Sequence, residues 1–114
     1  MPVDTLRVLI VEDSSTDAKL LIHELRRAIA TVEFEVVEDA DAMRAALRAK
    51  HWDLVTSDWS MPNFSALAAL STVGELGLDI PFIVLSGTIG EDVAVTAMKA
   101  GAHDYLIKGH LTRL

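Results

Sequence analysis

The feature that most constrains this chain is its alternation of short, nearly unbroken apolar runs with stretches of helical period. Arg7-Val8-Leu9-Ile10-Val11 is apolar at every position after Arg7, so it reads as a strand buried on both faces. Pro81-Phe82-Ile83-Val84-Leu85 reads the same way, and Asp53-Leu54-Val55-Thr56-Ser57 and Asp104-Tyr105-Leu106-Ile107 supply two further strands. Val32-Glu33-Phe34-Glu35-Val36 alternates apolar with acidic, which suits a strand near an edge with one face partly wet.

The intervening stretches carry helix punctuation. Ser14 or Ser15 caps a helix with Asp17 in its first turn and Ala18, Leu21, Ile22, Leu25 and Ile29 along one face. Asp39 to Lys50 is an Ala-rich helix turning Met43 and Leu47 inward. Ser65 caps a third helix, with Leu67, Leu70, Val73 and Leu76 on its apolar side and Gly77 at its end. Glu91 to Ala100 forms a fourth, stopped by Gly101. Strands alternating one by one with helices predict an α/β fold: a doubly wound, five-stranded parallel sheet. For five such units the common strand order is 2-1-3-4-5.

At 114 residues the chain makes one domain, taken as residues 1–114. No apolar run approaches the length of a membrane span, and the first residues do not open a signal peptide. With no cysteine there is no disulfide framework and no thiolate metal site. A soluble cytoplasmic protein is the plain reading. The net charge of −7 and the scattered basic residues argue against direct nucleic-acid binding.

Where the acids sit says more than their number. In a 2-1-3-4-5 sheet, strands 1 and 3 are neighbours and the loops leaving their carboxyl ends form a crevice, the usual ligand site of such folds. Glu12 and Asp13 follow strand 1 and Asp58 follows strand 3. Ser86 ends strand 4 and Lys108 ends strand 5 on the same rim. Each like-charged pair at about 4 Å costs on the order of 4 kcal/mol at an effective dielectric near 20, so three carboxylates there call for a cation. A hard divalent ion such as Mg2+ takes oxygen ligands of this kind. Asp58 can then serve as a carboxylate nucleophile for a phosphoryl group, with Lys108 and the Ser86 hydroxyl on its oxygens.

Any one of these residues is more often a helix cap, a turn residue or a solvated lysine. Their joint placement at successive carboxyl ends is what favours a phosphoryl or metal site. His23, His51, His103 and His110 show no paired spacing and are assigned to no metal. Trp59 is expected to border the pocket, and Trp52 to pack at the core edge.

Four segments resemble the signature segments of response-regulator receiver domains. They are Val8-Leu9-Ile10-Val11-Glu12-Asp13-Ser14, Asp53 through Pro62, Val84-Leu85-Ser86-Gly87, and Asp104-Tyr105-Leu106-Ile107-Lys108. The resemblance runs from about residue 6 to 110 and implies a flavodoxin-like receiver fold, phosphorylated on Asp58 and using Mg2+ or Mn2+. It implies Asp13 as a direct metal ligand, Glu12 reaching the metal, and the Ser60 backbone carbonyl as a further ligand beside Asp58. Ser86 would be the switch hydroxyl, Tyr105 the aromatic switch, and Lys108 the site lysine.

The implied partner is a sensor histidine kinase or a histidine phosphotransfer protein, along with flanking domains of the same chain; a homodimer is left open. Such a domain is not a separate-substrate enzyme, since it catalyses only its own phosphorylation and dephosphorylation.

This chain departs from the family in several places. Gly109 stands where a proline usually follows the lysine, and Ser65-Ala66 replaces an acidic-Gly pair. Ser60 and Thr88 occupy positions that tune dephosphorylation. Gly109 to Leu114 reads as the first turn of a truncated last helix, as if cut from a longer protein. Thr88 to Asp92 and Lys108 to Leu111 resemble receivers linked to sensor histidine kinases.

Three rivals are set against this reading. A flavin-binding protein of similar fold wants a phosphate loop after strand 1, where Glu12-Asp13 would repel a phosphate. A haloacid-type phosphohydrolase needs its nucleophile after strand 1 and a second acid two residues on, which Asp13-Ser14-Ser15 lacks. The remaining rival is a receiver-fold module that binds partners without phosphorylation.

Overall fold

The structure, a computed structural model, describes residues 5–29, 31–59, 64–87 and 91–108. The elements run β1 (Thr5–Val11), α1 (Ser15–Ala28), β2 (Thr31–Val37), α2 (Ala40–Ala49), β3 (Leu54–Asp58), α3 (Ala66–Glu75), β4 (Phe82–Ser86), α4 (Glu91–Lys99) and β5 (Asp104–Ile107). All strands are parallel and the order is β2-β1-β3-β4-β5, as the alternation predicts.

Strand β1 shows why its run Val8–Val11 is apolar at every position. Val8 and Ile10 point to one face of the sheet, where they meet Leu21 and Leu25 of α1 together with Leu54, Leu85 and Leu106. Leu9 and Val11 point to the other face and pack with Met43 and Leu47 of α2, Ala69 and Val73 of α3, and Ala97 of α4. A strand with helices on both sides has no wet face, so alternation is lost. Each fully buried leucine or valine here stabilises the fold by about 1.5–3 kcal/mol relative to an exposed one.

The helix starts follow their caps. The Ser14 side chain accepts from Asp17 N–H, Asp39 from Ala42 N–H and Ser65 from Ala68 N–H, satisfying first-turn donors in α1, α2 and α3. Gly77 and Gly101 stop α3 and α4 with φ of 66° and 111°, where a side chain would strain the backbone.

Three expectations need correcting. In β2 the buried residues are Val32 and Val37, while Phe34 and Val36 stay well exposed. The apolar face of α1 packs on Val32, whereas Phe34 lies beneath the Arg26 guanidinium of the same helix, 5.6 Å from its ring centre. In α3 the buried stripe is Ala66, Ala69, Thr72 and Val73, with Leu67 turned outward. Leu70, Val73 and Leu76 face the core as expected, so only Leu67 departs from the predicted apolar side. Ile29 falls just past α1, as its C-cap.

Candidate acidic phosphoacceptor site

Strand β3 ends on Asp58 itself, one residue later than the sequence pattern placed its end. Its ladder continues through Trp59 N–H, which donates to Leu85 C=O at 2.8 Å. That pairing holds the Asp58 backbone inside the sheet, and the residue is only 6% exposed. Next door, Glu12 N–H donates to Val37 C=O at 3.0 Å, fixing the turn after β1. On the far side, Lys108 N–H donates to Ser86 C=O at 2.8 Å, so β5 delivers its last residue to the same rim.

These backbone constraints bring Glu12, Asp13 and Asp58 together: one oxygen from each carboxylate lies within 4.8 Å of the others. Glu12 is buried and Asp13 exposed. Among the described residues this is the one cluster of acidic or histidine side chains close enough to share a metal ion. An all-carboxylate donor set with a solvent-facing member fits a hard, partly hydrated cation such as Mg2+.

Lys108 reaches into this group. Its Nζ lies 2.9 Å from Glu12 Oε2, 3.1 Å from Asp58 Oδ1 and 2.7 Å from Asp17 Oδ2. Burial alone pulls the Lys108 ammonium down, but hydrogen bonds to Asp17, Glu12 and Asp58 outweigh it and hold the pKa above the usual lysine range. Glu12 goes the other way from an ordinary buried ion pair. Desolvation is its largest influence and raises its pKa, the Asp58 charge adds to the rise, and the Lys108 and Ser14 hydrogen bonds offset only part.

Beneath the carboxylates lies a small cavity of about 40 Å³, lined by Ile10, Leu21, Thr56 and Leu85 as well as by Asp58 and Lys108. The Thr56 hydroxyl is fully buried there and finds no hydrogen-bond partner among the described residues.

The other expected residues divide. Ser86 ends β4 and is buried, opposite Ile107 in the register. Tyr105 is half-buried and packs against the cluster under α2, α3 and α4. Ser60 and Thr88 lie outside the described residues, as do Gly109, His110, Leu111 and Leu114. Trp59 packs against that same cluster and is not part of the cavity lining, contrary to expectation. Trp52 is buried and donates Nε1–H to Ala46 C=O at 2.9 Å. His103 is a structural residue, its Nδ1 accepting from Phe82 N–H at 3.0 Å.

Asp17 was missed as a site residue. Its place in the first turn of a capped helix accounts for it fully in sequence terms. The signal was its offset: three residues after the cap, on a helix whose start adjoins the carboxyl end of β1.

Comparison with known proteins agrees with this fold. The family model described as the response regulator receiver domain matches residues 8–113. The transcriptional regulatory protein PrrA of Mycobacterium bovis is 32% identical over 109 residues, covering 93% of this chain and 45% of the relative. The two-component response regulator ARR14 of Arabidopsis thaliana is 34% identical over 105 residues, covering 90% of this chain and 27% of the relative. The chain thus spans less than half the length of these relatives. Among solved structures, FixJ-N superposes with a TM-score of 0.78 at 28% identity, covering 99% of this chain and 87% of that one. A Burkholderia pseudomallei response regulator with a phosphorylated aspartic acid, calcium ion and citrate gives 0.79 at 25% identity, covering 95% and 62%.

Proposed function

Since the chain belongs to the response regulator receiver domain family, we propose that Asp58 accepts a phosphoryl group from a phosphohistidine, with Mg2+ or Mn2+ held by Glu12, Asp13 and Asp58. The observation that carries this reading is the meeting of three carboxylates with the Lys108 ammonium around a buried aspartate at a strand end. The Burkholderia neighbour, with its phosphorylated aspartate and calcium ion, supports it. The Ser60 carbonyl is proposed as a further ligand.

In the transfer, an Asp58 carboxylate oxygen attacks phosphorus while the P–N bond to the donor imidazole breaks, and its electron pair returns to the ring. The aspartate becomes an acyl phosphate. Such a transfer depends on positioning and charge compensation more than on covalent help from the protein. Lys108, already 3.1 Å from Asp58 Oδ1, supplies a charge-assisted hydrogen bond to a phosphoryl oxygen. The bound divalent ion supplies neutralisation of the charge on the phosphoryl oxygens. Ser86 at the end of β4 offers its hydroxyl to the same group, and Tyr105 reports the altered surface through its ring. The donor is proposed to be a cytoplasmic sensor histidine kinase or a histidine phosphotransfer protein, and the reader of the altered surface to be flanking domains, in keeping with relatives longer than this chain.

Acetyl phosphate and Mg2+ test the assignment. Intact mass should rise by one phosphoryl group in the wild type and stay unchanged in Asp58→Asn or under a chelator. A wild type that gains nothing points to a partner-binding module working without phosphorylation. An Asp58→Asn variant that gains mass equally moves the acceptor elsewhere.

A further inference from the structure

A ring of hydrogen bonds closes through the first turn of α1 and ends on Lys108. Ser14 N–H donates to Glu12 Oε1 at 3.1 Å, and Asp17 N–H donates to Ser14 Oγ at 3.2 Å. The Lys108 ammonium then donates to Asp17 Oδ2 at 2.7 Å and to Glu12 Oε2 at 2.9 Å. Asp17 makes the shortest of the lysine's three carboxylate contacts and stands outside the Glu12–Asp13–Asp58 group. Neither a metal site nor a phosphoacceptor requires a carboxylate at this position.

From this geometry we infer that Asp17 is a positioning residue, which fixes the Lys108 ammonium relative to Asp58 and thereby sets how fast Asp58 takes up a phosphoryl group. The inference rests on the phosphoacceptor reading of Asp58. An ammonium has three N–H donors, and here three carboxylate oxygens face them. Glu12 and Asp58 belong to the acidic group, while Asp17 pulls from the start of α1. The ammonium therefore rests between the helix and the sheet. Without Asp17 its third N–H turns to water and the remaining attraction draws it onto Glu12 and Asp58. The nucleophile is then more tightly paired, and the donor that must meet a phosphoryl oxygen is misplaced. Misplacement of a positioning group by about 1 Å is enough to slow a transfer severely.

The competing role is a simple one: an acid in the first turn complements the helix dipole. That role predicts a change in melting temperature and none in rate. Asp41, in the first turn of α2, paired with Arg44 and outside both the Lys108 contacts and the acidic group, serves as the control for it.

Phosphoryl uptake from acetyl phosphate with Mg2+, followed by intact mass on the full chain, separates the two. Asp17→Asn should lower the saturating rate about fivefold or more, with the half-saturating donor concentration nearly unchanged. Asp17→Glu should restore most of the rate and Asp41→Asn should leave it alone. An Asp17→Asn rate within twofold of wild type, or an Asp17→Glu rate no better than Asp17→Asn, overturns the inference. A second measurement does not depend on phosphorylation: the Lys108 ammonium signal in a 15N–1H spectrum of metal-free protein, assigned by its loss in Lys108→Arg. It should be resolved in the wild type and broadened in Asp17→Asn; an identical signal in both overturns the positioning role. If the wild type takes up no phosphoryl group, the phosphoacceptor reading fails, and this spectrum still decides whether Asp17 holds the lysine.

Discussion

The two edges of the sheet carry opposite kinds of electrostatics. At the amino-terminal edge charges are matched and wet. Arg7 Nε meets Glu33 Oε2 at 3.0 Å with both side chains about half exposed, and Arg7 N–H donates to Asp53 Oδ2 at 2.9 Å. On the helix surface, Arg44 likewise bridges α2 to Glu75 of α3 at 3.2 Å. At the carboxyl-terminal edge one ammonium faces three carboxylates, with Glu12 and Asp58 almost wholly buried. Asp13 adds a fourth negative group to that rim. The first arrangement is what a stable surface tolerates at little gain or loss. The second is held against desolvation and repulsion by the rest of the fold, the kind of arrangement that makes a cluster a candidate functional site.

Removing the cation at each edge breaks this comparison most sharply. In metal-free protein Lys108→Met keeps the stem but leaves Glu12 and Asp58 without their ammonium. Loss of one partner from a buried pair costs about 3 kcal/mol or more, so the urea midpoint should drop clearly. Arg7→Gln, at the exposed pair, should cost no more than about 0.5 kcal/mol, and 1 M salt should erase even that. Equal losses at the two edges would mean that the carboxyl edge is no more than another surface ion pair.

The same contrast explains what was legible in the sequence. The unbroken apolar runs Val8–Val11 in β1 and Phe82–Leu85 in β4 mark central strands, and the parallel order then places Glu12, Asp13, Asp58, Ser86 and Lys108 on one rim without any side-chain information. What the pattern could not reveal lies at the side-chain level. Asp17 joins the group because the Lys108 ammonium reaches the first turn of α1, a contact that no spacing encodes. Leu67 turned outward while Ala66, Ala69 and Val73 of α3 took the buried stripe. Phe34 stayed exposed because α1 meets it with the polar Arg26 and not with an apolar side chain. Trp59 followed Asp58 in sequence yet packed on the opposite side from the cavity, as a one-residue step along a strand reverses the face.

The interior just under the acidic edge sharpens the contrast further. Thr56 sits in the ladder beside Ile10, where an apolar residue would match its surroundings, and its hydroxyl is unpartnered among the described residues. A buried hydroxyl without a partner costs about 1–3 kcal/mol. Thr56→Val, nearly equal in shape, should therefore stabilise the metal-free protein by about 1 kcal/mol in urea titrations. A neutral or destabilising result would show that the hydroxyl is satisfied in solution, and that the polar region extends below the carboxylates into the core.

Glu12 gives the finest test, because it separates burial from pairing within one residue. Its pKa lies above the ordinary 4.5, first because of desolvation and in smaller part because of the Asp58 charge. The folded state therefore holds the Glu12 proton more tightly than the unfolded state does. Its contribution to stability is full below pH 4.5 and is lost as pH rises through the raised value. Glu12→Gln removes this one titration and leaves the other carboxylates common to both proteins. In metal-free buffer, the stability of the variant relative to wild type should rise as pH climbs above 4.5 and through the raised value, then level off. A difference that runs the opposite way would mean that the Lys108 and Ser14 hydrogen bonds outweigh desolvation. The carboxyl edge would then resemble the amino edge, with its charges matched rather than opposed. Divalent ion should flatten the wild-type dependence if Glu12 helps to hold it, since a liganding carboxylate is kept ionised.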